Sequence, residues 1–466
     1  MTRARLVFPA LRARRGVFTH ERAKITAALA AGVGGFILFG GTRRSVTDLT
    51  RAVSREAKRV LLFGSDLERG PGQQIRGLTE LPPPAALGFV DDLDATYAAG
   101  MITAVEAHAA GVCWAFAPVC DLDLEPRNPI VQTRSFGPDP TRVGTHAARW
   151  IAGCQEHGVM ACAKHYPGHG RATTDSHEGL PVVPTSAMEL RLTDAVPFGA
   201  AVQAGVGSVM SAFVAYPGWD DSGVAATFSR PILGYLRDPL GFKGLVVTDA
   251  FIMGGATAAQ SEGPAAALAV TAGCDALLYP TDWQAAIRAL DAVPAERADE
   301  AIARVEAAGD HWCRSEDGEV NPQLYIDHQQ VADGIADRAV HLVRGEAPRL
   351  VAPFSITIVD DDVGGPYSIA PRDVFQKHLG VAPGQRPGVS RVVLVYSEPR
   401  SWKGRGDLGA RSLAQLDRLA PNAALVVLFG HPRLAAQIPG EAPILCAWHG
   451  QALMQRAAAR WLQRRI

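Results

Sequence analysis

The sequence predicts an α/β protein, a (β/α)8, TIM-like barrel followed by a smaller α/β sandwich-type domain. Three observations predict it. Short, nearly continuous apolar runs recur from Gly34 to Pro280, as parallel strands do when both faces are covered. Segments whose apolar residues recur at three and four lie between them. Several of the apolar runs also end on a residue able to do chemistry.

Taken in order, the strand candidates are GGFILFG (34–40), VLLFGSD (60–66), CWAFAPVCD (113–121), VMACAKHY (159–166), SVMSAF (208–213), GLVVTDA (244–250) and ALLYP (276–280). TYAAGMITAVEAHAAG and DPTRVGTHAARWIAGCQEHG supply helical spacing between them. Asp66, Asp121, Lys164 with His165, Ser211 and Asp249 stand at strand ends. A barrel gathers all its strand C-termini on one face, whereas a doubly wound sheet gathers only those beside its switch point, so the set favours the barrel. Each residue alone says less, because polar residues also end strands as caps for the next helix. After His311 the chain turns polar (CRSEDGEVNPQ), then helical (VADGIADRAVHLVRGE). A second α/β pattern follows: FSITIVDDD (354–362), RVVLVYSE (391–398), AALVVLFG (423–430) and APILCAW (442–448). The expected organisation is a catalytic barrel over 1–314, a linker with a helix over 315–345 and a C-terminal α/β domain over 346–466.

Composition narrows the class. The 466 residues carry 46 Lys+Arg against 47 Asp+Glu, a net charge of −1, which argues against nucleic acid or an anionic membrane surface as the main partner. Hydrophobic residues at 47% and charged ones at 20% suit a globular chain with large cores. The apolar stretch from Ala27 is broken by glycines and too short to span a bilayer. Arginines interrupt the basic N-terminus, which makes a poor signal peptide. Seven cysteines without zinc-finger or CxxC spacing suggest reduced thiols. The expectation is a soluble, cytoplasmic protein.

The segment richest in chemistry is KHYPGHGRATTDSHEGLP, Lys164 to Pro181, whose glycines and prolines forbid a regular helix. Long loops at strand ends are where binding and catalysis concentrate. Asp175 and His177 lie two apart, so the carboxylate can orient the imidazole and raise its basicity, making a general acid/base near neutral pH. Three histidines and an aspartate in one loop could instead ligate zinc, although no HxH or HExxH spacing is present. In GLVVTDAFIMGG, Asp249 would emerge at the strand end, as a reactive carboxylate or as a helix cap. In NPIVQTRSFGPDP, Arg134 could clamp a polar substrate or hold its own loop through carbonyls.

KHYPGHG followed by DSH, with RSFGPDP upstream and VVTDAFIM downstream, resembles the family 3 glycoside hydrolases, and among them the bacterial β-N-acetylglucosaminidase branch. The resemblance runs from Gly34 to Pro280. It implies a retaining, exo-acting β-N-acetylhexosaminidase that removes terminal β-linked N-acetylglucosamine, in the recycling of cell-wall fragments. It further implies Asp249 as nucleophile, His177 as acid/base with Asp175 as its partner, and Asp66, Arg134, Lys164 and His165 as sugar-binding residues. No cofactor or metal is implied, and the partner is a small carbohydrate. One departure stands out. The family's EGGRV run reads Glu68-Arg69-Gly70-Pro71-Gly72-Gln73-Gln74 here, so its sugar-contacting arginine is not carried over; Arg76 could take its place but is out of register.

The chemistry agrees. Retaining hydrolysis needs a nucleophile below the anomeric carbon and a proton donor beside the leaving oxygen. Glu178, next to His177, is a rival acid. A histidine becomes neutral after giving its proton, so it would not repel phosphate as a carboxylate would, and phosphate is an admissible acceptor. The alternatives are a β-glucosidase or β-glycoside phosphorylase on the same scaffold, a zinc-dependent hydrolase, and a sugar-binding module without activity.

Overall fold

The structure, a computed structural model, describes residues 2–174, 179–257, 261–313, 321–350, 353–365, 369–381, 389–400 and 402–465. Strands β1 (Val7–Phe8) and β2 (Ala10–Arg12) are separated only by Pro9, which has no N–H to give a neighbour. They are followed by β3 (Gly35–Phe39), β4 (Leu62–Ser65), β5 (Trp114–Ala115), β6 (Met160–Tyr166), β7 (Ser208–Ser211), β8 (Leu245–Thr248) and β9 (Leu277–Leu278). Strands β2 to β8 form one sheet in chain order, and every neighbouring pair is parallel. β9 pairs in parallel with β1, and a bridge joins Val247 to Ala276.

This is an α/β fold with a curled parallel sheet. Its inner side is filled by aromatic rings from distant strands: Phe8 meets Trp114 edge-on at 5.6 Å, and Trp114 Nε1 donates to Ser208 Oγ at 2.8 Å. Long helices such as Leu93–Ala109 and Pro140–Gln155 cover the outside. The register pairs Ser65 with Ala115, Tyr166 with Ser211, and Ser211 with Thr248. The C-terminal ends of β4, β6, β7 and β8 therefore share one edge, and the residues that follow them meet there.

All seven predicted runs of the first part contain a strand. The segment Val7–Arg12 was not anticipated, because Pro9 and the flanking arginines hide its apolar character. A second sheet holds β10 (His341–Arg344), β11 (Ser355–Asp360), β12 (Arg391–Ser397), β13 (Leu425–Gly430) and β14 (Ile444–Cys446), in the order β10-β14-β13-β12-β11. It is parallel except for β10, which runs antiparallel to β14. Here one expectation is corrected. VADGIADRAVHLVRGE is helical only to Ala339, where the helix from Pro322 ends, and His341–Arg344 becomes an edge strand. Among the described residues no helix is long and apolar enough to cross a membrane.

The cysteines correct a second expectation. Cys113, just before β5, is disulfide-bonded to Cys313, 200 residues later and directly after the helix Ala295–Trp312. Cys120, Cys154, Cys162, Cys274 and Cys446 are buried free thiols. Spacing along the chain carries no trace of such a distant pair. Thiol titration of the unfolded, unreduced protein should give five groups, rising to seven after reduction.

Candidate active site

The shared strand edge carries the candidate residues. Asp66 and Glu68 leave the end of β4, Asp121 follows β5, Lys164 and His165 belong to the end of β6 itself, and Asp249 follows β8. Arg134 comes from a short helical turn, Gln132–Arg134.

Lys164 is the hub of one half. Its side chain is 2% exposed, and Nζ lies 2.8 Å from Asp66 Oδ1 and 2.7 Å from Glu68 Oε1. Glu68 in turn accepts two bonds from the Arg134 fork, from Nη2 to Oε1 at 2.7 Å and from Nε to Oε2 at 2.9 Å. Such bidentate, charge-assisted pairs are the strong ones. Arg134 Nη1 also donates to the Ile130 carbonyl at 3.1 Å, so the arginine holds its own loop as well. Burial would raise the Glu68 carboxyl, but Arg134 and Lys164 more than offset this and hold it well below the usual carboxylate range. Burial would likewise lower Lys164 and Arg134, and the facing carboxylates reverse it and raise both.

The other half is built on His165. Its Nδ1–H donates to Asp121 Oδ2 at 2.7 Å, which turns Nε2 toward Asp249, 3.9 Å from Oδ2. Asp121 is fully buried, and its Oδ1 also accepts the backbone N–H groups of His165 at 3.2 Å and His169 at 2.7 Å. Burial raises the Asp121 carboxyl, and His165 and His169 more than offset it, leaving it below its ordinary value. Asp249 is 17% exposed by its side chain, and its Oδ1 accepts the Ala250 N–H at 2.7 Å. A partly open carboxylate at a strand end, facing an oriented imidazole, can act as nucleophile or as charge stabiliser.

Asp66, Arg134, Lys164, His165 and Asp249 are thus brought together. Glu68 and Asp121 join them as residues that were not assigned a role. Glu68 sits within the run that departs from EGGRV, and Asp121 was marked only as a strand end; the side chains that face them, Lys164 and Arg134 for Glu68 and His165 for Asp121, were the missing clue. Asp175, His177 and Glu178 lie outside the described residues. Among the described residues no group of three or more His, Cys, Asp or Glu side chains is gathered as a metal site. The zinc alternative, three histidines and an aspartate of one loop, includes Asp175 and His177, which lie outside the described residues.

The depressed Glu68 value has a consequence for acid stability. Its native pKa lies below the unfolded value of about 4.3, so the stabilisation is present above that pH and is lost as pH falls through the native value. Melting temperature should therefore fall with pH below about 4, and Glu68→Gln should flatten that dependence. An unchanged slope in the variant would rule out Glu68 as a contributor.

The model of the glycosyl hydrolase family 3 N-terminal domain matches residues 10–311. A protein of Chromobacterium violaceum named "Beta-hexosaminidase" is 35% identical over 311 residues, covering 63% of this chain and 85% of its own. "Beta-N-acetylglucosaminidase/beta-glucosidase" of Cellulomonas fimi is 31% identical over 349 residues, covering 71% of this chain and 60% of its own. The solved family 3 β-N-acetylglucosaminidase from Paenibacillus sp. superposes with a TM-score of 0.88 at 25% identity, covering 100% of this chain and 96% of its own. A β-glucoside phosphorylase, BglX, shares the fold, with a TM-score of 0.85 at 22% identity over 99% of this chain and 91% of its own. The residues matched by the family model include the whole curled sheet from β2 to β8 and every described candidate residue on its edge, and the chain belongs to family 3 of the glycoside hydrolases.

Proposed function

We propose that this chain is a retaining, exo-acting β-N-acetylhexosaminidase that hydrolyses terminal β-linked N-acetylglucosamine. The observation that carries it is the 35% identity to the Chromobacterium violaceum β-hexosaminidase over 311 residues. Asp249 attacks the anomeric carbon. His177, oriented by Asp175, protonates the leaving oxygen and then deprotonates the incoming water. Asp66, Arg134, Lys164 and His165 bind sugar hydroxyls. The reading extends to the organisation of the chain: β1 to β9 make a closed (β/α)8 barrel within 1–314, and 346–466 form a second domain after a linker. Its cellular role is the turnover of cell-wall fragments.

A second reading keeps the scaffold and lets phosphate attack. A neutral histidine favours it. The charge of the edge opposes it, because among the described residues Asp66, Glu68, Asp121 and Asp249 outnumber Lys164 and Arg134, the fixed cations that form ion pairs there. The test is a panel of 4-nitrophenyl β-glycosides of N-acetylglucosamine, glucose and xylose, with and without millimolar phosphate and after exhaustive chelation, with products identified by NMR. N-Acetylglucosamine released in preference, as free sugar and without metal, supports the proposal. Sugar 1-phosphate as the main product moves the assignment to a phosphorylase. Loss of activity on chelation, restored by zinc, moves it to a metal hydrolase.

A further inference from the structure

We propose that the second sheet positions the root of the loop leading to Asp175 and His177, with Arg433 as the positioning residue and Asp123 as its point of attachment. The inference rests on the assignment of the acid/base to that loop.

The connecting piece is the strap of residues 121–132, which leaves β5 and has no regular structure before the turn at Gln132. Its inner side grips the loop that leaves β6. Asp121 takes the N–H groups of His165 and His169. The Glu125 N–H donates to the Gly170 carbonyl at 3.2 Å. Asn128 Nδ2 donates to the carbonyls of His169 and Ala172, both at 2.9 Å. Residue 170 has to be glycine, because a Cβ there would lie 1.7 Å from the Leu122 carbonyl oxygen. Strap and loop root are therefore in backbone contact up to Ala172, three residues before Asp175.

The outer side of the same strap is held by the second sheet. Arg433 and His431 follow β13. The Arg433 Nη2 donates to Asp123 Oδ2, and His431 Nε2 lies 3.1 Å from the same oxygen. The Arg433 Nε donates to His431 Nδ1 at 2.9 Å, so the two side chains form one unit around a carboxylate that is 8% exposed. From the loop after β12, the Gly406 carbonyl accepts Gln132 Nε2 at 3.2 Å. A Cβ on Gly406 would lie 2.7 Å from the Pro126 carbonyl oxygen, so this loop rests directly on the strap. A strap without its own ladder of hydrogen bonds takes its position from these two sides, and a displacement of about 1 Å in a catalytic group costs on the order of 100-fold.

A proton donor matters most when the leaving group is basic, which separates positioning of the acid from a general loss of fold. The full-length chain carrying Arg433→Ala or Arg433→Lys is assayed on aryl β-glycosides of the sugar that the wild type cleaves. The leaving groups run from 2,4-dinitrophenol to 4-methoxyphenol, and kcat/KM is read together with melting temperature. For Arg433→Ala, kcat/KM should fall about 10- to 100-fold on the basic leaving group and under about 3-fold on the acidic one. Arg433→Lys, which restores the pair with Asp123, should recover most of the loss. Gly406→Ala attacks the other contact and should give the same pattern, which keeps the test open if Arg433→Ala fails to fold. An equal fall on both leaving groups, or none on either, overturns the proposal. His177→Ala runs alongside. If Arg433→Ala has the leaving-group dependence and His177→Ala lacks it, the positioning role stands and His177 loses its assignment to another acid on the loop.

Discussion

Asp249→Ala should lower turnover by on the order of 10⁴-fold or more and leave the fold intact. Among the described residues the side chain accepts one bond, from the Ala250 N–H, and faces His165 Nε2 at 3.9 Å, and it is 17% exposed. Its removal therefore costs about 1 kcal/mol of stability, whereas the reaction loses the atom that would bond to the sugar. Trapping with a 2-fluoro sugar followed by peptide mapping tests the role directly. The label should fall on the peptide containing Asp249, and a label on any other carboxylate removes the assignment.

Lys164→Met should be the most damaging single change to the fold within the candidate site. Its ammonium is buried between Asp66 and Glu68. Without it Glu68, whose side chain is 6% exposed, keeps Arg134 as its one ion-pair partner among the described residues. Breaking one side of a buried ion pair typically costs 3–5 kcal/mol, roughly the range expected here, because the remaining charge stays desolvated. Binding of the sugar should weaken too, by about 2–4 kcal/mol at the transition state, as for losses of charged hydrogen bonds. The double variant Lys164→Met/Glu68→Gln separates the two effects. It should regain much of the stability in urea unfolding, since the uncompensated charge is gone, and regain none of the activity. A double variant no more stable than the single one would refute the ion-pair account of this site.

The candidate site shows where local pattern suffices and where it fails. Asp249 and Asp66 were legible because each ends an apolar run, and a parallel strand ends at one edge of its sheet whichever partners it finds. Lys164 and His165 were legible for the same reason. The partner of each was not. Lys164 meets Asp66 across 98 positions, Arg134 meets Glu68 across 66, and His165 meets Asp121 across 44. Glu68 looked like part of a departure from a motif, and only its position between Lys164 and Arg134 gives it a role.

By itself the sequence determined the alternation of β and α elements and the residues offered at strand ends. Both follow from interactions within a few positions: apolar periodicity, strand length and the turn residues that stop each run. The tertiary structure decided the rest. It paired Cys113 with Cys313, recruited Val7–Arg12 and His341–Arg344 as strands, and set Arg433 against Asp123. These contacts join residues that share no local pattern. They exist because the sheet curls until its distant strand ends share an edge, and because a buried charge there is stable only beside a partner that the curl brings within reach.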